Sequence, residues 1–469
     1  MKQYREESDL IGCLHIPADC YYGIQTARAI QNFNLLGIPL HHFSRLVRSL
    51  AMVKKACAHA NHALGVLSVE LTEAICHACD LIIADKHHDQ FVVDMVQGGA
   101  GTSTNMNANE VIANLALEYL GEQKGNYERV NPNNHVNLSQ STNDVYPSAL
   151  RLALLFSYHD LILEQEALCN ALHDKAHEFS NIVKVGRTQL QDAVPISLGR
   201  EFESFAVTIR EDSEIITRTA ELFKEVNLGG TAVGTAVNSP YGYKELVVAY
   251  LSETSGLKLT SAPHLIEASS DTGAFVTFSG LLRRVAVKTS KICNDLRLLS
   301  SGPRAGMGEI ILPPVQAGSS IMPGKVNPVI PEAFNQIAYQ VIGNDLTVTL
   351  AAEGGQLQLN AFEPVIIFNL LQSIRLLTRG FSMLNKRCVQ GIKADEERCN
   401  ALVKGSLIVV TALTPHIGYE KSARVAKYAQ EHKLTVYAAA LKLGMLDEEN
   451  LKKILDPKAM LGPTLARFD

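Results

Sequence analysis

The sequence predicts a mainly α-helical protein built around a bundle of long helices, and three observations carry that expectation. Glycine and proline punctuate secondary structure, yet Ser148 to Val185 contains neither. Strand-like alternation is sparse throughout. A dense segment, Ser301 to Pro331, then interrupts the helical stretches: 11 of its 31 residues are Gly or Pro, and so long a loop in a helical protein is usually functional.

Taken in order, the first helical pattern lies where Leu46, Leu50, Val53, Cys57 and Ala60 recur at helical spacing, inside a mixed, mostly helical N-terminal domain, 1–140. Leu71 to Ile83 repeats the pattern, with Cys76 and Cys79 at core positions. Ser148 to Val185 begins just after Pro147, as helices often do, and would span about 55 Å if helical throughout. Arg200 to Leu228 and Leu281 to Ser301 behave alike. Glu332 to Glu353 is broken only by Gly343, and Val365 to Arg379 makes a fifth stretch. Helices so much longer than three or four turns point to a bundle, so 141–397 reads as a central long-helix domain carrying the loop. From 398 to 469 the patterns shorten, as in Ser422 to His432 and Glu448 to Leu455, which predicts a small C-terminal helical domain.

Composition narrows the function classes. With 469 residues, 46 % hydrophobic and 19 % charged, the chain is neither disordered nor a disulfide-stapled mini-protein. A net charge of −5 with no run of like charges gives no electrostatic reason to expect nucleic acid or an anionic membrane. Nine scattered cysteines read as free buried thiols in a reducing compartment. The N-terminus lacks an apolar signal region and no apolar run reaches membrane-span length, so a cytoplasmic location is expected.

Three polar regions could carry chemistry. The loop holds Gly318-Ser319-Ser320-Ile321-Met322-Pro323-Gly324-Lys325-Val326-Asn327-Pro328. A phosphate-loop reading fails, because five residues separate Gly318 from Gly324 and Val326 stands where the magnesium-binding hydroxyl belongs. What remains is a pair of hydroxyls near a cation and an amide. A serine there acts as a base only if a positive charge or backbone dipole stabilises its alkoxide; a turn-rich surface loop is the plainer alternative. Gly98 to Asn107 and Ser139 to Asp144 are rich in small neutral donors suited to carboxylate oxygens, although helix capping explains either run in isolation. Gly186 to Asp192 is a third polar patch, at the break between two long helices. Cys76-His77-Ala78-Cys79 has zinc-like residue types, but no second pair follows at finger spacing. Gly229, Gly230 and Gly234 follow a helix and so make a poor dinucleotide turn.

Together these segments resemble the aspartase/fumarase superfamily of lyases over nearly the whole chain. Gly318 to Pro328 resembles its signature. Gln97-Gly98-Gly99-Ala100-Gly101-Thr102-Ser103, Ser141-Thr142-Asn143 and Asn131-Pro132-Asn133 are similar to the aspartase branch, where fumarases differ. Tyr21-Tyr22-Gly23, Lys291 to Arg297 and Gln356 to Asn360 extend the likeness. The resemblance implies a three-domain fold, a homotetramer with a twenty-helix core, and active sites each assembled from three subunits.

The implied reaction is reversible removal of ammonia from L-aspartate to give fumarate. Ser319 would be the general base. Thr102, Ser141 and Thr142 would hold the β-carboxylate; Thr188, Lys325 and Asn327 the α-carboxylate; Asn143 and Gln189 would face the amino group. Ser320 would offer its backbone N–H. Gln189 stands where fumarases and some aspartases have histidine, Asn134 where aspartate is common, and Ala236 where glycine is usual. No organic cofactor is implied, and no ligand set for an activating divalent cation can be read. A fumarate hydratase acting on L-malate and a catalytically silent helical scaffold are the competing readings.

Overall fold

The computed structural model describes residues 3–461, most of them helical. A hairpin of β1 (Tyr4–Asp9) and β2 (Gly12–Pro17) leads to α1 (Ile24–Asn32), α2 (Ser44–Ala63), α3 (Val69–Ile83) and α4 (Thr102–Tyr119). The long α5 (Thr142–Glu178) precedes a second hairpin, β3 (Val183–Thr188) and β4 (Gln191–Ser197), and then α6 (Leu198–Ala220). Short β5 (Glu225–Val226) pairs in parallel with β6 (Thr260–Ser261), with α7 (Tyr243–Ser255) between them; α8 (Leu265–Ala268) leads into α9 (Gly273–Leu299). After β7 (Ile310–Ile311) come α10 (Val329–Glu353) and α11 (Glu363–Arg387), and β8 (Lys393–Ala394) pairs back onto β7. Five short α-helices follow among the described residues: α12 (Glu396–Gly405), α13 (Thr414–Ile417), α14 (Tyr419–Glu431), α15 (Val436–Lys442) and α16 (Glu448–Ile454).

The chain forms two compact units: Met1–Ile162 with Glu214–Arg284 and Tyr339–Leu377, and Leu163–Ser213 with Val285–Ala338 and Thr378–Asp469. In the first unit, α2 packs on α3 and α7, and its Leu46, Leu50, Val53, Cys57 and Ala60 are fully buried, as their spacing predicts. Helix α4 is buried on all sides from Thr104 to Leu117, so it shows no amphipathic stripe and its four asparagines must find partners inside. From α4, Glu110 accepts the N–H groups of Gly23, Gln25 and Thr26 and the Thr26 hydroxyl, capping α1 from outside its own segment.

Helix α5 begins five residues before Pro147, earlier than the sequence reading. Proline has no N–H to give the carbonyl four residues back, and that carbonyl, of Asn143, instead accepts the Asn227 amide at 2.9 Å. The helix also stops at Glu178, short of the expected Val185. Val183 and Val185 form β3, and their side chains join the core of the second unit with Val403, Leu413, Val425, Ala439 and Leu451. Tertiary burial of a Val-x-Val pattern here outweighs continued helix. The expected Arg200 to Leu228 helix likewise ends at Ala220, followed by a short turn and β5. In the second unit α10 meets α11 through stacked Phe334 and Phe381, and meets α9 through Asn335, whose amide donates to Ser290 Oγ at 2.8 Å. No single helix among the described residues is long and apolar enough to cross a membrane.

Glu363, in the first turn of α11, is buried, and desolvation pushes its carboxyl up to about 8 against the pull of Arg151. Between the ordinary carboxylate value and about 8 the folded chain holds a proton that the unfolded chain has released, so stability falls as pH rises through that window. Glu363→Gln should remove this decline: its melting temperature should match the parent near pH 5 and exceed it by about 2–4 °C near pH 8.5. Parallel pH profiles for the two proteins would contradict the assignment.

Candidate active site

The N-terminus of α5 is built by a reciprocal cap. Ser141 Oγ accepts the Asn143 N–H at 3.2 Å, and Asp144 Oδ1 accepts the Ser141 N–H at 2.9 Å. The other oxygen of Asp144 accepts the N–H groups of Gly229 and Thr231, both at 3.0 Å. Asp144 is fully buried; desolvation raises its carboxyl pKa, and these three N–H groups oppose that rise. Here lies an open cavity of about 700 Å3, lined by Ser141 and Thr142 from the start of α5 and by Thr231 and Asn238 from the segment after β5. Asn143 does not line it; its amide donates to Ala232 O at 2.6 Å.

Behind Thr142 lies a buried amide network. Lys54 donates to Asn105 Oδ1 at 2.6 Å, Gln140 Oε1 at 2.8 Å and Asn137 Oδ1 at 3.0 Å. Asn105 in turn donates to Thr142 Oγ1 at 3.1 Å. Asn137 and Gln140 also line the cavity. Thr102, the first residue of α4, is exposed and donates its hydroxyl to Gly99 O; it is not part of this cavity wall.

In the second unit, Thr188 and Gln189 occupy the exposed tip of the β3–β4 hairpin. Gln189 and Leu190 both have positive φ, 52° and 62°, the requirement of a two-residue turn that matches strand twist. The hairpin is anchored through Glu309: Arg187 contacts its two oxygens at 2.9 and 3.0 Å, and Lys184 pairs with it at 3.2 Å. Glu309 is fully buried and belongs to the long loop, so one carboxylate ties the hairpin to the loop's base.

The loop tip closes on itself. Gly318 donates its N–H to Lys325 O at 2.9 Å, and the Asn327 amide donates to Gly318 O at 2.6 Å. A Cβ on Gly318 would sit 2.2 Å from Lys325 O, so only glycine permits this closure. Ser319 Oγ accepts two backbone N–H groups, from Met322 at 3.1 Å and Ile321 at 3.3 Å. Ser319 and Asn327 are half-buried; Ser320 and Lys325 are exposed.

The polar residues expected from the sequence therefore fall into separate sets, Ser141–Asn143 with its cavity in one unit and Thr188, Gln189 and the loop in the other. Sequence reasoning missed Lys54 and Asn137, and it placed Asn105 and Asp144 in donor-rich runs without giving either a role. Lys54 left a signal: Leu50, Lys54, Cys57 and Asn61 share one helical face, so a lysine stands among core positions. Cys76 and Cys79 are buried in α3, and among the described residues no group of three or more metal-ligating side chains comes together.

A family model described as lyase matches residues 12–343, and one described as fumarase C C-terminus matches residues 409–462. The chain is 58 % identical to the aspartate ammonia-lyase of Pseudomonas aeruginosa over 98 % of each chain, and 50 % identical to that of Escherichia coli over 98 % of this chain and 96 % of the other. Among solved structures it is similar to a fumarate lyase:delta crystallin from Brucella melitensis bound to cobalt, with TM-score 0.96 and 57 % identity over 98 % of this chain and 100 % of that one. A class II fumarase from Schistosoma mansoni superposes with TM-score 0.92 at 35 % identity, over 98 % and 99 % of the two chains.

Backbone strain gives a direct test of the cavity wall. Ala236, beside the lining residues Val237 and Asn238, sits at φ 57°, in the left-handed region that favours glycine. Ala236→Gly should stabilise the fold by about 0.5–1 kcal/mol, the relieved strain exceeding the entropy that glycine adds to the unfolded chain. Denaturant melts read this, and a lowered midpoint would show that the strain is absent.

Proposed function

This chain belongs to the lyase family, and we propose that it is an aspartate ammonia-lyase, removing ammonia reversibly from L-aspartate to give fumarate. The observation that carries the reading is the environment of Ser319: two backbone N–H groups point at its oxygen within the loop that also presents Lys325. Such dipoles stabilise an alkoxide, the form a serine needs in order to act as a base. The names of the relatives supply the substrate.

In the proposed mechanism Ser319 takes the Cβ proton of L-aspartate. The electron pair moves into the β-carboxylate, giving an aci-carboxylate held by Thr102, Ser141 and Thr142. Its collapse forms the carbon–carbon double bond and breaks the C–N bond, releasing ammonia. Thr188, Lys325 and Asn327 bind the α-carboxylate, Ser320 contributes its backbone N–H, and Asn143 and Gln189 face the amino group. The hydroxyl and amide donors suit charge that grows during the reaction.

A homotetramer with shared sites and a twenty-helix core belongs to the same proposal. Supporting it, α10 exposes Tyr339, Leu346 and Leu350 at helical spacing, each 61–62 % accessible, an apolar stripe that calls for cover. The division into domains 1–140, 141–397 and 398–469 is proposed on the sequence pattern, supported at its end by the fumarase C-terminal match over 409–462. Residues 462–469 lie outside the described residues. A cytoplasmic location is proposed from the cysteines, all nine of them free and seven of them buried.

Fumarate absorbance tests the substrate. L-aspartate should be turned over with kcat/KM about 100-fold or more above that for L-malate, because neutral Gln189 lacks the ionisable imidazole suited to a hydroxide leaving group. Comparable or faster malate turnover would select the hydratase reading, and inactivity on both the silent scaffold.

Ser319→Ala should lower kcat by about 100-fold or more with little change in KM, since the base acts in the transition state. Mixed and reassembled with an inactive Thr188→Val chain, it should regain partial activity. No recovery after verified subunit exchange would place each site within one chain.

A further inference from the structure

Building on the lyase reading, we propose that Lys54 is a positioning residue which, acting through Asn105, fixes the Thr142 hydroxyl as a hydrogen-bond donor toward the substrate carboxylate. The argument rests on the polarity of the network. An ammonium group has three donors and no acceptor. All three of Lys54's donors are spent on neutral side-chain oxygens, those of Asn105, Asn137 and Gln140, and the residue is fully buried. Each amide must therefore turn its oxygen to Lys54 and its nitrogen away.

For Asn105 the consequence reaches the cavity. Its nitrogen donates to Thr142 Oγ1 at 3.1 Å and to Asn137 Oδ1 at 3.0 Å. The Thr142 oxygen thus receives a hydrogen bond from behind, and its own hydrogen is left to point into the cavity that Thr142 lines. Asn109 shows how strongly the polarity is imposed. Its nitrogen donates to Asn137 Oδ1 at 3.1 Å while its buried oxygen has no partner. Turning that amide over would set two carbonyl oxygens against each other.

A purely structural role does not account for a cation here. Burying an ammonium whose hydrogen-bond partners are all neutral is costly, and a neutral side chain could fill the space and make hydrogen bonds. Only a donor-only group forces one direction on every amide around it. Burial draws Lys54 down to about 8, while the Asp144 carboxyl pulls the other way, so the ammonium form predominates at neutral pH. The donor held ready in this way meets a carboxylate whose negative charge grows in the transition state.

Two variants test this at pH 7 with L-aspartate, after circular dichroism and melting confirm the fold. Asn105→Asp keeps an acceptor for Lys54, now as an ion pair that offsets the oxygen it sets against Asn137 Oδ1, but removes the nitrogen that donates to Thr142 and lets the Thr142 hydroxyl turn inward. The melting temperature should stay near the parent while kcat/KM drops about 10- to 100-fold, the usual effect of losing a hydrogen bond to a charged group. Lys54→Gln retains hydrogen bonding without enforcing direction and should lose a similar factor. In a Thr142→Val background, adding Lys54→Gln should cost less than about threefold, because both changes act through the same hydroxyl.

Folded Asn105→Asp with parental kcat/KM, or full additivity of Lys54→Gln with Thr142→Val, would overturn the positioning role. Failure of both Asn105→Asp and Lys54→Gln to fold would also overturn it, making the network structural. The parent enzyme serves as the reference for the reading beneath it. If it fails to release fumarate from L-aspartate, the lyase assignment itself is wrong, whereas normal parental turnover confines any failure to Lys54.

Discussion

A carboxylate buried with no cation in contact with it must be held by N–H groups that are themselves fixed, and Asp144 imposes this constraint on the first unit. Its three N–H donors come from Ser141, Gly229 and Thr231, so the start of α5 and the 229–231 turn cannot part without stranding a buried carboxylate. Pro147 adds a second tie by freeing the Asn143 carbonyl for Asn227. With both walls of the cavity pinned, Thr231 and Asn238 can be held at φ 56° and 63°, conformations that would relax in a loosely held loop.

The second unit solves the corresponding problem with charge. Buried Glu309 is met by Arg187 and Lys184, which together compensate its desolvation and join the β3–β4 hairpin to the base of the long loop. Beyond that base the chain changes character. From Ser319 to Lys325 the loop's hydrogen bonds are local, and Ile321 and Val326 are exposed. The base is tied by Glu309 and the far end by the start of α10, whereas the tip between them is held only by its own turn.

What the sequence disclosed follows from the range of each interaction. The helical stripe of α2 and the loop from Ser301 to Pro331 were legible because periodicity and Gly/Pro density are local properties. The strand at Val183–Val185 was hidden, since a Val-x-Val pattern free of glycine also fits a helix, and only its burial against Val403 and Leu413 decides the matter. Ser141, Thr142 and Ser319 stood out as residue types in donor-rich runs. Lys54 and Asn137 did not, because their pairing bridges 83 residues of sequence, and one lysine on an apolar stripe does not name its partners.

The choice of neutral donors around Ser141 and Thr142 carries a cost of its own. A fixed cation would grip a ground-state carboxylate nearly as well as an aci-carboxylate, lowering KM more than the barrier. Oriented hydroxyls and amides gain more as charge accumulates, but only if they already point the right way, since reorientation during the reaction would consume the advantage. Amides can turn over and hydroxyls can rotate, so direction has to come from a group that cannot reverse its own polarity. Lys54 meets that requirement from one layer behind the cavity, donating to Asn105, Asn137 and Gln140 alike. In the proposed reaction the positive charge would be kept off the substrate while its directional effect passes through neutral groups to the reacting carboxylate.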